Sequence, residues 1–353
     1  MAIAIDKPSK YFNTILYTGT ETTTNVTGVG FNPDWVWIKS RSDAYNNNVW
    51  DRVRGAGQRL ITNATDAEET STGDMSAFVT DGFTVGGGWI TNKSGRNYVA
   101  WNWLAGGTGV SNTSGTISST VSANTTSGFS IVSYTGTGTT SKTVGHGLGV
   151  TPAMIIIKNR SASPTSWRVY HKSLAVNGSY PNFLELDTTS ASQTGDSGNF
   201  ASVPTSSVFG VGNYNVVNGN GNSMIAYCFA EVKGFSKAFS YTGNGNANGT
   251  FVYCGFRPAY IMLKCTSTAS TQWSVYDVKR DTKNYVSLNL YPSGSNAEND
   301  MFNGTDGVCD FVSNGFKFRD TYGWHNASGS TYVGFAIAEN PFVSSKGIPC
   351  TAR

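Results

Sequence analysis

Pro152-Ala153-Met154-Ile155-Ile156-Ile157-Lys158 is the stretch from which the fold is read. It returns as Pro33-Asp34-Trp35-Val36-Trp37-Ile38-Lys39 and as Pro258-Ala259-Tyr260-Ile261-Met262-Leu263-Lys264. Each copy is a proline, one variable residue, a run of large apolar residues and a lysine. β-Branched and aromatic side chains favour a strand. Consecutive apolar residues point to opposite faces of a strand, so both faces of each copy are expected to be covered. Proline suits the strand entry, where its missing N–H costs least. The lysine is expected to lay its stem on the strand and put its ammonium in water.

The flanks of the three runs repeat as well. Tyr17-Thr18-Gly19, Tyr134-Thr135-Gly136 and Tyr241-Thr242-Gly243 precede them. Trp50-Asp51, Tyr170-His171 and Tyr276-Asp277 follow. Next come Gly82-Phe83-Thr84-Val85, Val208-Phe209-Gly210-Val211 and Gly315-Phe316-Lys317-Phe318. A second strand-like run closes each copy: Tyr98 to Trp103, Met224 to Phe229 and Tyr332 to Ile337. Landmarks recurring in one order mark tandem copies of a module of about 100 residues. The expected organisation is an N-terminal arm (1–12), a first β-module (13–104), a Gly/Ser/Thr linker (105–127) with a little extended structure in which Thr116 to Val121 could form a thin strand, a second module (128–231), a third (232–340) and a C-terminal tail (341–353). Modules two and three, closely joined, are expected to pack as a rigid pair. Module one, beyond the linker, is expected to sit apart.

Composition agrees with short strands and tight turns: 353 residues include 41 glycines and only 13% are charged. No long stretch carries a helical apolar period. The fold class expected is all-β, as three tandem β-sandwich, jelly-roll-like modules. A net charge of +3 with scattered basic residues argues against nucleic acid as a partner. No run is long enough for a membrane helix. The first ten residues lack the apolar core of a signal peptide, so synthesis and retention in a cytoplasm are expected. The five cysteines, Cys228, Cys254, Cys265, Cys309 and Cys350, do not repeat with the modules and form no Cys-x-x-Cys pair. Neither a disulfide framework nor a cysteine metal site is expected.

Catalytic chemistry finds little support. Asp51, His171 and Asp277 share one slot, and a carboxylate exchangeable for an imidazole is a poor essential acid or base. His146 and His325 lie in turns. Glu185 with Asp187 has no counterpart in module three, where Asn289 and Tyr291 stand. Asp306 and Asp310 flank a Gly-containing turn, the weak alternative for a metal. Arg52, Arg54 and Arg59 around Gly55-Ala56-Gly57 lack the lysine and helix of a nucleotide loop and read as a solvated loop. No enzyme and no cofactor are expected. Aromatics in or beside polar loops, Trp89, Tyr98, Tyr180, Tyr214, Tyr322 and Trp324, are candidates for a glycan or a protein partner.

The stretches Phe31 to Lys39, Val53 to Gly57, Asp81 to Val85, Tyr98 to Trp103, Gly145 to Asn159 and Gly255 to Lys264 together resemble a family of tailed-bacteriophage proteins found in marine and cyanobacterial viruses. The resemblance spans nearly the whole chain and brings no catalytic motif. It implies a virion component, such as a fibre, appendage or capsid or tail surface decoration, made in the host cytoplasm and working through contacts with other virion proteins. A homo-oligomer, by analogy a trimer, is implied with it. The alternative is adhesion to a host-surface glycan or receptor.

Overall fold

The computed structural model describes residues 5–283, 285–300 and 307–339. Within them the chain is nearly all β, built of antiparallel sheets, with two four-residue helices, Trp89–Asn92 and Asn215–Asn218. The three quoted runs form the central strands Trp35–Ser40, Met154–Asn159 and Pro258–Cys265. Each pairs on one side with a closing strand: Asn97–Trp103, Ser223–Phe229 or Thr331–Ala338. Each pairs on the other with the strand that follows it: Asn48–Asp51, Arg168–His171 or Ser274–Asp277. Beyond each closing strand lies the opening strand: Phe12–Thr18, Phe129–Thr135 or Ser236–Thr242. Three sheets therefore share one order: opening, closing, central, following.

Alternation along the central strands sends side chains into two different cores. Val36 and Ile38, with Trp50, Met75, Phe83, Val85, Tyr98 and Ala100, fill the space under a small second sheet in the first unit. Ile155 and Ile157 do the same in the second unit, Ile261 and Leu263 in the third. The opposite faces carry Trp35, Trp37, Trp101 and Trp103; Met154, Ile156, Tyr227 and Phe229; and Tyr260, Met262, Phe335 and Ile337. These belong to a single cluster common to all three units. Trp35 stacks on Tyr227 at 4.5 Å between ring centroids, Trp103 meets Tyr260 at 6.0 Å, and Phe229 meets Phe335 at 5.4 Å. Each buried large apolar side chain contributes about 1.5–3 kcal/mol. Aromatic pairing adds about 0.5–1.5 kcal/mol per contact. A residual cavity of about 10 Å³ among Trp35, Met154, Tyr260 and their neighbours is apolar in its lining and offers an ordered water no set of polar partners.

One backbone contact is made three times in rotation. Glu68 N–H donates to Arg160 O (2.8 Å), Ser192 N–H to Thr266 O (2.9 Å) and Glu298 N–H to Arg41 O (2.9 Å). First meets second, second meets third, and third meets first, so the units close a ring about one axis.

That ring corrects two expectations. The first unit does not sit apart, because its tryptophans form much of the shared core. Residues 105–127 are not a free linker. Val110–Asn112 and Ser119–Asn124 are strands added to the second unit's sheet, and Asp34 accepts the N–H groups of Ala105 (2.8 Å) and Gly107 (3.1 Å). A Ser/Thr-rich strand at a sheet edge needs few apolar residues, which is why its composition reads as linker. The arm is likewise built in from Ile5 onward: Ile5 and Phe12 are buried in the shared core. The tail 341–353 lies outside the described residues.

The lysines are a third correction. Lys39, Lys158 and Lys264 are all fully buried. Lys39 Nζ donates to Ser40 O (2.8 Å), Lys158 Nζ to Thr165 O, and Lys264 Nζ to Thr271 O (2.7 Å) and Thr271 Oγ1 (2.6 Å). Burial lowers their pKa values, to about 7 for Lys39 and about 8 for the other two. The shared side of each central strand is covered by the neighbouring unit, so the stem has no route to water.

Removing residues 1–104 should strip the cover from Phe129, Tyr227, Phe229 and Tyr260. The remaining fragment is expected to aggregate or to bind a hydrophobic dye such as ANS strongly. A monomeric, cooperatively folding fragment that binds no dye would show that the first unit is dispensable to the core.

Candidate functional site

The most exposed of the candidate aromatics lie on one recurrent turn. In each unit a Tyr hydroxyl from the opening strand donates into that turn: Tyr17 to Thr91 O, Tyr134 to Val217 O and Tyr241 to His325 O, all at 2.6 Å. A buried asparagine then clamps the turn to the loop after the opening strand. Asn92 accepts Thr20 N–H (2.8 Å) and donates to Gly86 O (2.7 Å) and Thr22 O (2.6 Å). Asn218 accepts Thr137 N–H (2.7 Å) and donates to Gly212 O (2.6 Å) and Thr139 O (2.9 Å). Asn326 accepts Asn244 N–H (3.0 Å) and donates to Asp320 O (2.8 Å) and Asn246 O (2.9 Å). Each amide meets backbone groups that burial would otherwise leave unpaired.

On these clamped turns stand Trp89, 63% exposed, Tyr214, 47%, and Tyr322, 43%. Tyr214 and Tyr322 open their turns at the position held by Gly88 in the first unit, and Trp89 stands one residue further on, so each turn carries one exposed ring at or next to its first residue. Trp89 Nε1–H donates to Glu21 Oε1 (2.9 Å), and Lys93 Nζ sits 5.7 Å from its ring centre. Tyr214 rests against Gly198, where an added Cβ would fall 2.4 Å from the ring. Rigidly held, half-exposed rings can stack on a sugar face or pack under an apolar side chain of a partner protein.

The other three candidates separate from this group. Tyr98 is fully buried; its hydroxyl donates to Trp89 O (3.0 Å) and accepts Lys93 N–H (2.9 Å), so it supports the turn from beneath. Trp324 is half-buried between Tyr291 and Tyr322. Tyr180 is half-buried in a two-residue strand of the second unit. The asparagine clamp was missed in the sequence, although Asn92, Asn218 and Asn326 each follow the turn's opening residue (Gly88, Tyr214 or Tyr322) by four positions.

Two buried sets of charged residues serve the joints between units. Arg54 is buried, not solvated: it pairs with Asp51 and with Glu68 (2.9 Å), and Glu68 reaches Arg160 of the second unit (2.6 Å). Tyr227 donates to Asp51 (2.7 Å). At the joint of third and first units the same set recurs as Asp277, Arg280, Glu298 and Arg41, with Trp101 Nε1–H donating to Asp277 (3.0 Å). Despite burial, hydrogen bonds from Arg160 and the charge of Arg54 hold Glu68 below its usual pKa. Between second and third units the slot holds His171, whose Nε2 meets Gly334 O (3.1 Å). Ser173 N–H donates to its Nδ1 (3.2 Å), so the ring is neutral with Nε2 protonated. Burial is the main reason its pKa falls to about 4.

No expected acid pair faces across a cleft. Glu185 pairs with Arg168, and Asp187 accepts Trp167 N–H (2.8 Å). Asp310 pairs with Arg319 (2.6 Å), and Asp306 lies outside the described residues. Tyr276, His325 and Asp320 form a chain of 2.7 and 3.1 Å contacts, but all three are buried, and the Tyr–His–Asp order leaves no exposed nucleophile. Among the described residues no group of three or more His, Cys, Asp or Glu could hold a metal, and Cys228, Cys254, Cys265 and Cys309 are free and buried. No helix among them is long and apolar enough to cross a membrane.

These features define an all-β ring of three sheet pairs about a common aromatic core. The chain belongs to the family described as a domain of unknown function, DUF7483, whose model matches residues 7–341. No curated protein and no solved structure matches it.

Two outcomes follow for stability. Asn218→Ala leaves Thr137 N–H, Gly212 O and Thr139 O without their partner, and should cost about 1–3 kcal/mol in urea unfolding; a wild-type midpoint would contradict the clamp. His171 binds its proton less tightly folded than unfolded, so its contribution is complete above pH 6.5 and is lost as pH falls toward 4. The drop from 6.5 to about 4 corresponds to roughly 3 kcal/mol. His171→Leu should flatten stability between pH 6.5 and 4; an unchanged slope would place the acid sensitivity elsewhere.

Proposed function

We propose that this protein is a structural, non-enzymatic component of a phage particle, a fibre, appendage or surface decoration that works through protein–protein contacts. The observation carrying the reading is the set of three clamped turns, one in each unit, each of which carries an exposed ring: Trp89, Tyr214 or Tyr322. Such a surface suits repeated, moderate contacts summed over several points rather than one deep pocket. The Tyr276–His325–Asp320 chain is buried inside the third unit, and the buried carboxylate–guanidinium sets are engaged at joints between units, which suits a durable scaffold. The sequence resemblance described above supplies the phage context. The ring already holds three units in one chain, so a threefold surface would need no oligomer; further association into a homo-oligomer remains part of the proposal.

A second reading, adhesion to a host-surface glycan, is favoured by the same rings, since a half-exposed Trp and two Tyr can stack on sugar faces. Both readings are tested by a phage carrying Trp89→Ala, Tyr214→Ala and Tyr322→Ala together. The structural reading expects the wild-type protein in purified virions by mass spectrometry and a several-fold lower copy number for the triple variant. Full copy number with poor adsorption to host cells would favour adhesion. Absence of the wild-type protein from virions would overturn the virion assignment.

A further inference from the structure

The joint between second and third units differs from the other two in a way that opens a cleft. At the first joint Arg160 reaches across to Glu68, and its guanidinium lies 3.5 Å from Ser133 Oγ. The residue placed like Arg160 in the third unit is Thr266, as the matching backbone bonds of Arg160 to Ser223 O and Thr266 to Thr331 O show. The residue placed like Glu68 is Ser192, and Leu174 stands where Arg54 and Arg280 stand elsewhere. Ser240 is the counterpart of Ser133 by sheet register. Three long charged side chains of the other joints are thus replaced by short or apolar ones.

A cleft of about 580 Å³ lies there, bounded by Asn182 and Ser192 on one side and Ser240, Tyr241, Thr242 and Thr266 on the other. That volume falls within the range of about 300–1,000 Å³ typical of small-molecule sites. None of its described lining residues carries a charge. Hydroxyls and an amide dominate its polar surface, with the half-buried Tyr241 as its aromatic element. Ser192 Oγ is enclosed in the cleft wall and has no hydrogen-bond partner, although such groups are normally satisfied, so it gains one only by turning about its Cα–Cβ bond toward a ligand. Phosphates, nucleotides and acidic sugars would enter without a counter-charge, and apolar ligands would leave the hydroxyls unpaired.

We infer that the cleft between second and third units binds a neutral polyhydroxylated ligand, a monosaccharide or the end of a neutral glycan, with Ser192 among its hydrogen-bonding groups. The site is separate from the three aromatic turns, and its existence does not depend on a role in virions.

The test titrates the full chain with glucose, galactose, mannose and N-acetylglucosamine, followed by NMR and calorimetry. At least one should bind. Thr266→Arg, which restores the long side chain found at the other joints, should weaken that binding about tenfold or more. Ser192→Ala should weaken it about threefold to tenfold while leaving the thermal midpoint near wild type. Failure of all four sugars to bind would overturn the inference. So would sugar binding that both variants leave unchanged.

Discussion

A sheet that is apolar on both faces cannot be satisfied by one partner layer. Each of these sheets has its outer face covered by a second sheet from its own segment. Its inner face is left with tryptophan, tyrosine, phenylalanine, methionine and isoleucine, and only the inner faces of the other two sheets are available to cover them. Three such faces meeting together close a ring, and every later feature follows from that closure. Strand ends are trapped between neighbours, so the lysines that end the central strands donate to backbone carbonyls instead of reaching water. The first unit is held by its own tryptophans rather than by a tether.

The joints show how differently one scaffold can be finished. Two carry a buried carboxylate–guanidinium set, in which each charge has at least one opposite partner. Breaking one member of such a set leaves an uncompensated buried charge, and replacing the whole set with apolar residues need cost nothing. The third joint takes the neutral route, with His171 and Leu174. That substitution removes side-chain volume as well as charge, which is why the cleft lies there. Ring closure and the cleft thus have one origin: a repeated contact whose side chains differ from joint to joint.

Much of the fold was legible in the central strands. Two apolar faces could be read directly from Trp35 to Ile38 and from Met154 to Ile157, and the ordered landmarks placed the opening, central, following and closing strands. What covered the second face could not be read, because that contact joins Trp35 to Tyr227 and Phe12 to Tyr260 across long stretches of chain. Burial of Lys39, Lys158 and Lys264 was hidden for the same reason. Ser119–Asn124 was only partly legible: Thr116 to Val121 could be read as a thin strand, but its polarity, common in an edge strand, gave the segment the look of a linker. Of the candidate surface, Trp89, Tyr214 and Tyr322 were recognisable from their polar neighbours, whereas Tyr98 misled because an aromatic beside a loop can point inward as readily as outward. The cleft left almost no trace in sequence, being a matter of what Thr266 and Ser192 lack relative to Arg160 and Glu68.

A core shared by three sheets makes the chain one cooperative unit, although its sequence repeats. Native-state hydrogen exchange on the intact protein measures this directly, comparing wild type with Trp35→Ala. Loss of a buried tryptophan should cost about 3–5 kcal/mol. With one shared core, the slowest amides of residues 35–40, 154–159 and 258–265 should all lose protection by the same free energy. A loss confined to residues 35–40, with the other two central strands as protected as before, would contradict it.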